Sequence, residues 1–282
     1  MTGHLTVEST TGLVTVQDLG RRGLAHLGVP RAGAADAGSA ALAHRLVGNP
    51  PDAALLEVTL GSIRVTSSRS ATVAVTGARC SVTVGERPAA FGHALSVTAG
   101  STVIVGPPEA GARTYLAVGG GVAVEPVLGS RATDTLAWLG PARVEAGCVL
   151  PLGPRTEPHP VDHVPMPARR DSVRALPGPR DDWFTRDAQQ TLWSATWRVG
   201  AASNRVGVRL DGPRLARARS GELPSEGMVL GAVQVPPSGQ PVVFLHDHPV
   251  TGGYPVIAVV EEADLGIVAQ LRPGESLRFR PA

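Results

Sequence analysis

Apolar residues recur along this chain in short runs, most of them four to seven residues long and rich in valine. The clearest are Leu13–Val16, Ile63–Thr66, Ala71–Val75, Ser81–Val84, Ser101–Val105 and Thr114–Val118. Further along come Trp193–Val199, Val229–Val235, Val242–Leu245, Val256–Val260 and Ser276–Phe279. Glycine, proline or aspartate bounds most of them, the pattern of a barrel or sandwich built from many short strands. Helical patterning is scarce. Asp36 is placed to cap a helix running through Ala40, Ala43, Leu46 and Val47, which Gly48-Asn49-Pro50 then stops. A weaker helical stretch covers Asp182 to Leu192. The expected fold class is mainly β with few short helices.

Prolines divide the chain. Six fall between Pro151 and Pro167, with His159 and His163 among them and few apolar side chains. The expectation is an N-terminal lobe over residues 1–150, a proline-rich linker or strap over 151–170 and a C-terminal lobe over 171–282, with the chain free to cross between lobes.

Composition narrows the chemistry. All 26 basic residues are arginine and none is lysine. That removes a Schiff-base lysine, a pyridoxal phosphate linkage, a biotinylated lysine and a P-loop lysine from this chain. A bound anion must therefore be held by arginine forks, backbone N–H groups or a metal. The net charge of +2 argues for neither nucleic acid nor membrane as a partner. Two cysteines, Cys80 and Cys148, make no disulfide framework and read as free thiols. No signal peptide and no membrane-length apolar stretch is visible, so a cytoplasmic location is expected.

Two polar-glycine signatures stand out, each after a strand-like run. The first is Val16-Gln17-Asp18-Leu19-Gly20-Arg21-Arg22-Gly23, continuing to His26-Leu27-Gly28-Val29-Pro30. Here Arg21 could grip an anion, Gln17 read an amide and Asp18 orient a group or accept its proton. The plainer alternative is an Asp18–Arg21 pair that pins a turn. The second is Asp247-His248-Pro249-Val250-Thr251-Gly252-Gly253-Tyr254-Pro255. Asp247 and Gln234 fall at strand ends, and Thr251, Gly252, Gly253 and Tyr254 could offer N–H groups, a hydroxyl and a phenol to an oxyanion, as a backbone nest does. Ser203-Asn204-Arg205-Val206-Gly207-Val208-Arg209 sets two arginines four apart, a spacing that puts Arg205 and Arg209 on one face of a strand, with Asn204 beside them. His246 and His248 would likewise share a strand face, but no third ligand stands at nearby spacing, so no metal is expected. Glu57, inside the apolar run Ala53–Leu60, would be buried and needs a partner. Asn49 reads as a helix-end turn residue.

In this order the motifs resemble the allophanate hydrolase subunit 2 family, which includes the C-type subunit of 5-oxoprolinase and the carboxyltransferase part of urea amidolyase. The resemblance runs from about Gly12 to Phe279. It also rests on Gly33-Ala34-Ala35-Asp36, Leu46-Val47-Gly48-Asn49, Leu56-Glu57-Val58-Thr59, Gly231-Ala232-Val233-Gln234-Val235-Pro236 and Gln270-Leu271-Arg272-Pro273-Gly274. It implies two cyclophilin-like β-barrel lobes. The chain departs from the family pattern where His248-Pro249-Val250 stands in place of Arg-Gln-Thr, Ala35 in place of methionine and His44 in place of asparagine. The missing arginine at 248 weakens a carboxylate contact there.

The resemblance implies a subunit of an ATP-dependent 5-oxoprolinase, inactive alone, which opens 5-oxo-L-proline to L-glutamate. It implies ATP with Mg at the level of the complex, and partners of the allophanate hydrolase subunit 1 type and the lactam-utilisation type. On that reading Asp18 or Asp247 manages a proton, Arg21 and Arg205 bind carboxylate or phosphate, and Thr251–Gly253 holds the oxyanion. A carboxyltransferase moving carboxyl from carboxybiotin to urea or a related amide is the alternative, with biotin carried by another chain. A non-catalytic regulatory subunit is the third reading.

Overall fold

The computed structural model describes residues 3–158 and 170–282, so most of the proline-rich strap, including His159 and His163, lies outside the described residues. The chain divides into two compact units that each draw on two segments. Unit 1 is residues 1–21 with 32–167, and unit 2 is residues 22–31 with 168–282. Both are mainly β, as the short valine-rich runs predict.

Unit 1 holds β1 (His4–Thr10), β2 (Leu13–Gln17), α1 (Ala37–Leu46), β3 (Leu55–Thr59), β4 (Ile63–Ser67), β5 (Ala71–Val84), β6 (Arg87–Ala89), β7 (Leu95–Val97), β8 (Thr102–Val118) and β9 (Val149–Pro151). The sheet runs β2-β3-β8-β4-β1-β9, and β5 leaves that path to pair with β6, β7 and β8. Two pairs of runs that the sequence separates are each one long strand here. Ala71–Val75 and Ser81–Val84 are both part of β5, and Ser101–Val105 and Thr114–Val118 both contribute to β8. The β5–β8 register slips between Gly77 and Arg79, again before Cys80, and again before Val82. Such bulges bend a strand without ending it, so β8 can pair with β4 near Val103 and with β3 near Leu116. Gly77 permits this: its φ is 87°, and a Cβ there would lie 2.5 Å from the Arg113 carbonyl oxygen. Inward-facing Val, Leu and Ile from β1–β5 and β8 form the core.

α1 begins as the sequence predicts. Asp36 caps it, accepting from the Ser39 N–H at 3.1 Å and the Ser39 hydroxyl at 2.7 Å. Arg45 occupies its last turn, where a cation suits the dipole. Its buried face, Ala40, Ala43 and Leu46, packs with Leu55, Ala74, Tyr115 and Ala117.

Unit 2 holds β10 (Ser172–Pro177), α2 (Arg186–Ser194), β11 (Trp197–Val199), β12 (Gly207–Asp211), β13 (Glu226–Gly227), β14 (Ala232–Gln234), β15 (Val242–Phe244), β16 (Thr251–Gly252), β17 (Val256–Val260), α3 (Leu265–Ala269) and β18 (Ser276–Pro281). Seven of these close a barrel in the order β10-β17-β14-β15-β12-β11-β18, with β10 and β18 parallel and the remaining pairs antiparallel. β13 and β16 form a separate two-stranded ribbon. The predicted helix near Asp182 starts later, at Arg186, because Thr185 supplies the N-cap through its hydroxyl. The run from Trp193 is not all strand: Trp193 and Ser194 finish α2, and β11 begins at Trp197. Among the described residues no helix is long and apolar enough to cross a membrane.

Candidate functional site

Residues 17–21 of the first signature leave β2 at its last residue and fold onto a loop of their own unit, unit 1, while residues 22–30 belong to unit 2. Gln17, fully buried, donates through Nε2 to Thr15 Oγ1 and to the Thr133 carbonyl, both at 2.9 Å. Asp18 accepts from Gly20 N at 2.8 Å and Ser130 Oγ at 2.6 Å on one oxygen, and from Arg131 N at 2.6 Å on the other. Arg21, 2% exposed, donates through Nε to the Val127 carbonyl at 2.9 Å and through Nη2 to the Ala132 carbonyl at 2.7 Å. The structure thus brings Gln17, Asp18 and Arg21 together, and each side chain reaches loop 127–133 of the same chain through its own partners. Sequence reading missed the loop because no periodic pattern marks residues 119–148.

Glu57 has the partners its burial demands. It accepts from Ala35 N and from the Tyr115 hydroxyl, both at 2.9 Å, and its other oxygen lies 3.5 Å from Arg113 Nε. The Tyr115 hydroxyl also accepts from Asp36 N at 2.7 Å. Burial, and then the Glu57 charge, push the Tyr115 phenol well above its ordinary range, so it stays a donor to Glu57. Asn49 donates to the Val118 carbonyl and accepts from Gly120 N and Thr156 Oγ1, and its Nδ2 faces His44 Nδ1 at 3.3 Å. Burial brings the His44 pKa down to about 4. These side chains order the entrance to α1 and the segment after it.

The second signature surrounds a turn after β15. β15 ends at Phe244, and His248 N donates back to the Leu245 carbonyl, so His246 and His248 sit in a turn and not along a strand face. Between them Asp247, wholly buried, accepts a two-pronged contact from Arg205, Nε at 2.9 Å and Nη2 at 3.0 Å. Asp247 N also donates to the Arg205 carbonyl. Arg205 and Arg209 do not share a face as the strand reading expected. Asn204 Oδ1 accepts from Val206 N and Gly207 N, making a turn that delays β12 to Gly207. Arg205 therefore points inward to Asp247, while Arg209 and Asn204 are exposed.

Around this turn Gln234, at the end of β14, donates through Nε2 to the Tyr254 carbonyl at 3.1 Å and lies 3.7 Å from Met228 Sδ. Thr251 and Gly252 are the strand β16, paired with β13, and neither Gly252 nor Gly253 has positive φ. The expected nest is absent for that reason: it needs alternating right- and left-handed residues. Gly252 lies close under the Gln234 amide instead: a Cβ there would fall 2.7 Å from Gln234 Nε2, so that side chain would have to shift. Tyr254 is 44% exposed and leaves its phenol at the surface. His248 stacks on Phe244 with ring centroids 6.0 Å apart. Its Nδ1 lies 2.8 Å from the Pro249 carbonyl, which only accepts, so Nδ1 carries the proton. Burial lowers its pKa, and Arg31 adds to that effect.

No group of three His, Cys, Asp or Glu that could hold a metal occurs among the described residues. The site residues also do not fit a nucleoside triphosphate. The guanidiniums of Arg21 and Arg205 are engaged by carbonyls and by Asp247, and the glycine turn lacks nest geometry. Biotin has no lysine to join on this chain.

A nine-stranded sheet and a closed seven-stranded barrel, with turns after β2 and β15 tied down by buried polar side chains, make this a two-unit, mainly β protein. Residues 27–281 match the family described as carboxyltransferase domain, subdomain A and B, and the chain belongs to that family. It is 38% identical over 269 residues to the C-type subunit of the 5-oxoprolinase of Escherichia coli (strain K12), covering 94% of this chain and 87% of that protein. To the corresponding 5-oxoprolinase subunit of Haemophilus influenzae it is 35% identical over 273 residues, with the same two coverages. The crystal structure of the K. lactis urea amidolyase superposes with a TM-score of 0.92 at 31% identity, over 99% of this chain but only 18% of that one.

Proposed function

We propose that this chain is the C-type subunit of a 5-oxoprolinase, part of an ATP-dependent complex that opens 5-oxo-L-proline to L-glutamate. The observation that carries it is the 38% identity to a 5-oxoprolinase C-type subunit over nearly the whole of both chains. The lactam carbonyl is a poor electrophile. Transfer of the terminal phosphoryl group of ATP to its oxygen releases ADP and opens the carbon to water; the C–N bond then breaks as the ring nitrogen takes up a proton, and a second water hydrolyses the resulting acyl phosphate to glutamate and phosphate. ATP and its Mg are held by partner subunits, of the allophanate hydrolase subunit 1 type and the lactam-utilisation type, and the chain is inactive without them. This chain contributes the amide-facing site around Gln234, His248, Thr251 and Tyr254. Asp18, Arg21, Arg205 and Asp247 act as positioning residues, fixing the two turns.

The test is to purify the chain with those subunits and follow phosphate release from ATP with and without 5-oxo-L-proline. Release that depends on the lactam, matched by glutamate, supports the reading; none from an intact complex overturns it. The likeness to the urea amidolyase structure favours a second reading, carboxyl transfer to an amide nitrogen, with biotin on a separate carrier. Turnover of carboxybiotin with urea, absent any lactam hydrolysis, selects it.

A further inference from the structure

We propose that residues 127–140 of unit 1, in the loop between β8 and β9, are a docking surface for a partner subunit. Two pinned turns present Leu128, Leu136 and Trp138 to an apolar pocket of that chain, and Arg131 meets a carboxylate on the pocket's rim. Naming the partner as a subunit of the complex rests on the 5-oxoprolinase reading; the surface and the chemistry it fits do not.

Both turns hold a bulky residue where the backbone favours glycine. In the first, Val127 and Ser130 exchange backbone hydrogen bonds at 2.8 and 3.2 Å around Leu128 and Gly129, whose φ values are 51° and 79°. A two-residue turn with both φ positive suits Asn-Gly or Gly-Gly, and leucine is strained there. In the second, Asp134 N donates to the Leu139 carbonyl, and the Asp134 carboxylate accepts from Leu136 N and Ala137 N, each at 2.9 Å. Trp138 then has a φ of 55°. Neither side chain is buried. Leu128 is 51% exposed and Trp138 57%, and of the four tryptophans only this one is exposed. Backbone strain with no internal burial to offset it points to a contact outside the molecule.

The two turns stand against one guanidinium. Arg21 donates through Nε to the Val127 carbonyl at 2.9 Å, and through Nη2 to the Ser130 and Ala132 carbonyls at 3.4 and 2.7 Å. Gly140, two residues past Trp138, backs onto the same group: a Cβ there would lie 2.5 Å from Arg21 Nη2 and 2.3 Å from the Ala132 carbonyl oxygen. Thr133 Oγ1 donates to the Pro141 carbonyl at 3.0 Å and closes the second turn at its base. Asp18 holds Ser130 Oγ and Arg131 N, both at 2.6 Å. The backbone that carries these side chains is thus ordered before any partner arrives, which lowers the entropy lost on binding.

Charge sets the occupant. Between Val127 and Ala142 the ionisable side chains are Arg131 and Asp134, and Asp134 is fully buried. Arg131 gives its Nε to the Val124 carbonyl at 2.7 Å, and its terminal nitrogens meet no carboxylate among the described residues. An uncharged tip with tryptophan and leucine has the composition of an interface core, and the cation beside it calls for an acid opposite. A second copy docked through the same loop would bring another Arg131 and no exposed acid. The occupant is therefore a different chain, which the 5-oxoprolinase reading supplies.

Calorimetric titration of the full chain with the purified subunit 1-type and lactam-utilisation-type subunits, each in turn, tests this. Leu128→Gly and Trp138→Gly remove apolar groups and relieve left-handed strain, so their melting temperatures should hold or rise. Association with one of the two subunits should weaken at least about thirtyfold for Trp138→Gly, the scale of an interface hot spot. Arg131→Gln should weaken it less and reduce its dependence on salt. Unaltered affinity in the glycine variants overturns the proposal, as does a fall in their melting temperature, which would make the turns structural. Self-association of the chain that these variants abolish overturns it too, in favour of a second copy. No association of the unsubstituted chain with either subunit overturns both this proposal and the 5-oxoprolinase reading. Association that the variants weaken, in a complex that hydrolyses no lactam, overturns that reading alone.

Discussion

Arg205 and Asp247 lie 42 residues apart in sequence and meet with almost no exposure. Burying both charges has a desolvation cost that only a well-formed fork offsets, so removing one partner is worse than removing both. Asp247→Asn should destabilise the protein by about 3–5 kcal/mol, whereas an Arg205→Met, Asp247→Leu double variant should recover much of that loss. Urea denaturation of the three proteins checks it, and additive losses would contradict it. His44 gives a pH dependence of known sign. Its folded pKa of about 4 lies below the ordinary 6.5, so the unfolded chain binds the extra proton first. The stability that the neutral ring confers is present above about pH 6.5 and is lost as pH falls towards 4. The variant His44→Asn should flatten the urea midpoint across that window; an unchanged slope would assign it to other groups. At this scale the sequence was legible wherever a residue acts on near neighbours. Asp36 announces its capping role by position, and Glu57 announces its need for a partner by its apolar surroundings. The roles of Arg21 and Arg205 depend on loop 127–133 and on Asp247, and no local pattern points to either.

At the scale of elements, reading went astray where glycine or proline was taken as an ending. β5 passes through Gly77, and β8 passes through Gly106, Pro107, Pro108 and Gly111 without stopping. The reason is that a bulge absorbs the irregular residues while the flanking positions keep their alternation. Helix limits were clearer because caps are local chemistry: α1 starts one residue after Asp36. Two substitutions separate these cases. Asp36→Ala removes a cap and should cost about 1 kcal/mol, within the usual span for N-caps. Gly77→Ala forces a Cβ to 2.5 Å from the Arg113 carbonyl at a φ of 87° and should cost clearly more. Thermal melts of both variants, ranked in the opposite order, would mean that the β5 bulge relaxes freely. The Arg205 and His248 stretches were read as regular strand, and both turned out to be turns. The site was therefore legible as a list of residues, but its directions were not.

For the molecule as a whole, the division of the chain matters more than the length of either unit. Unit 2 takes residues 22–31 from the middle of the segment that builds unit 1. A fragment of residues 168–282 therefore lacks part of its own unit, including Arg31, which reaches Glu262 at 3.1 Å and influences His248. Joining residues 22–31 to that fragment through a flexible linker should make it more resistant to proteolysis than the fragment alone; equal digestion would show the ten residues to be dispensable. The same arrangement sets a clock during synthesis. The ribosome adds roughly 5–20 residues per second, so residues 22–31 emerge and wait on the order of ten to fifty seconds before residues 168–282 are complete. Throughout that interval Arg31 has no Glu262 to pair with, and residues 22–31 stand without the rest of their unit.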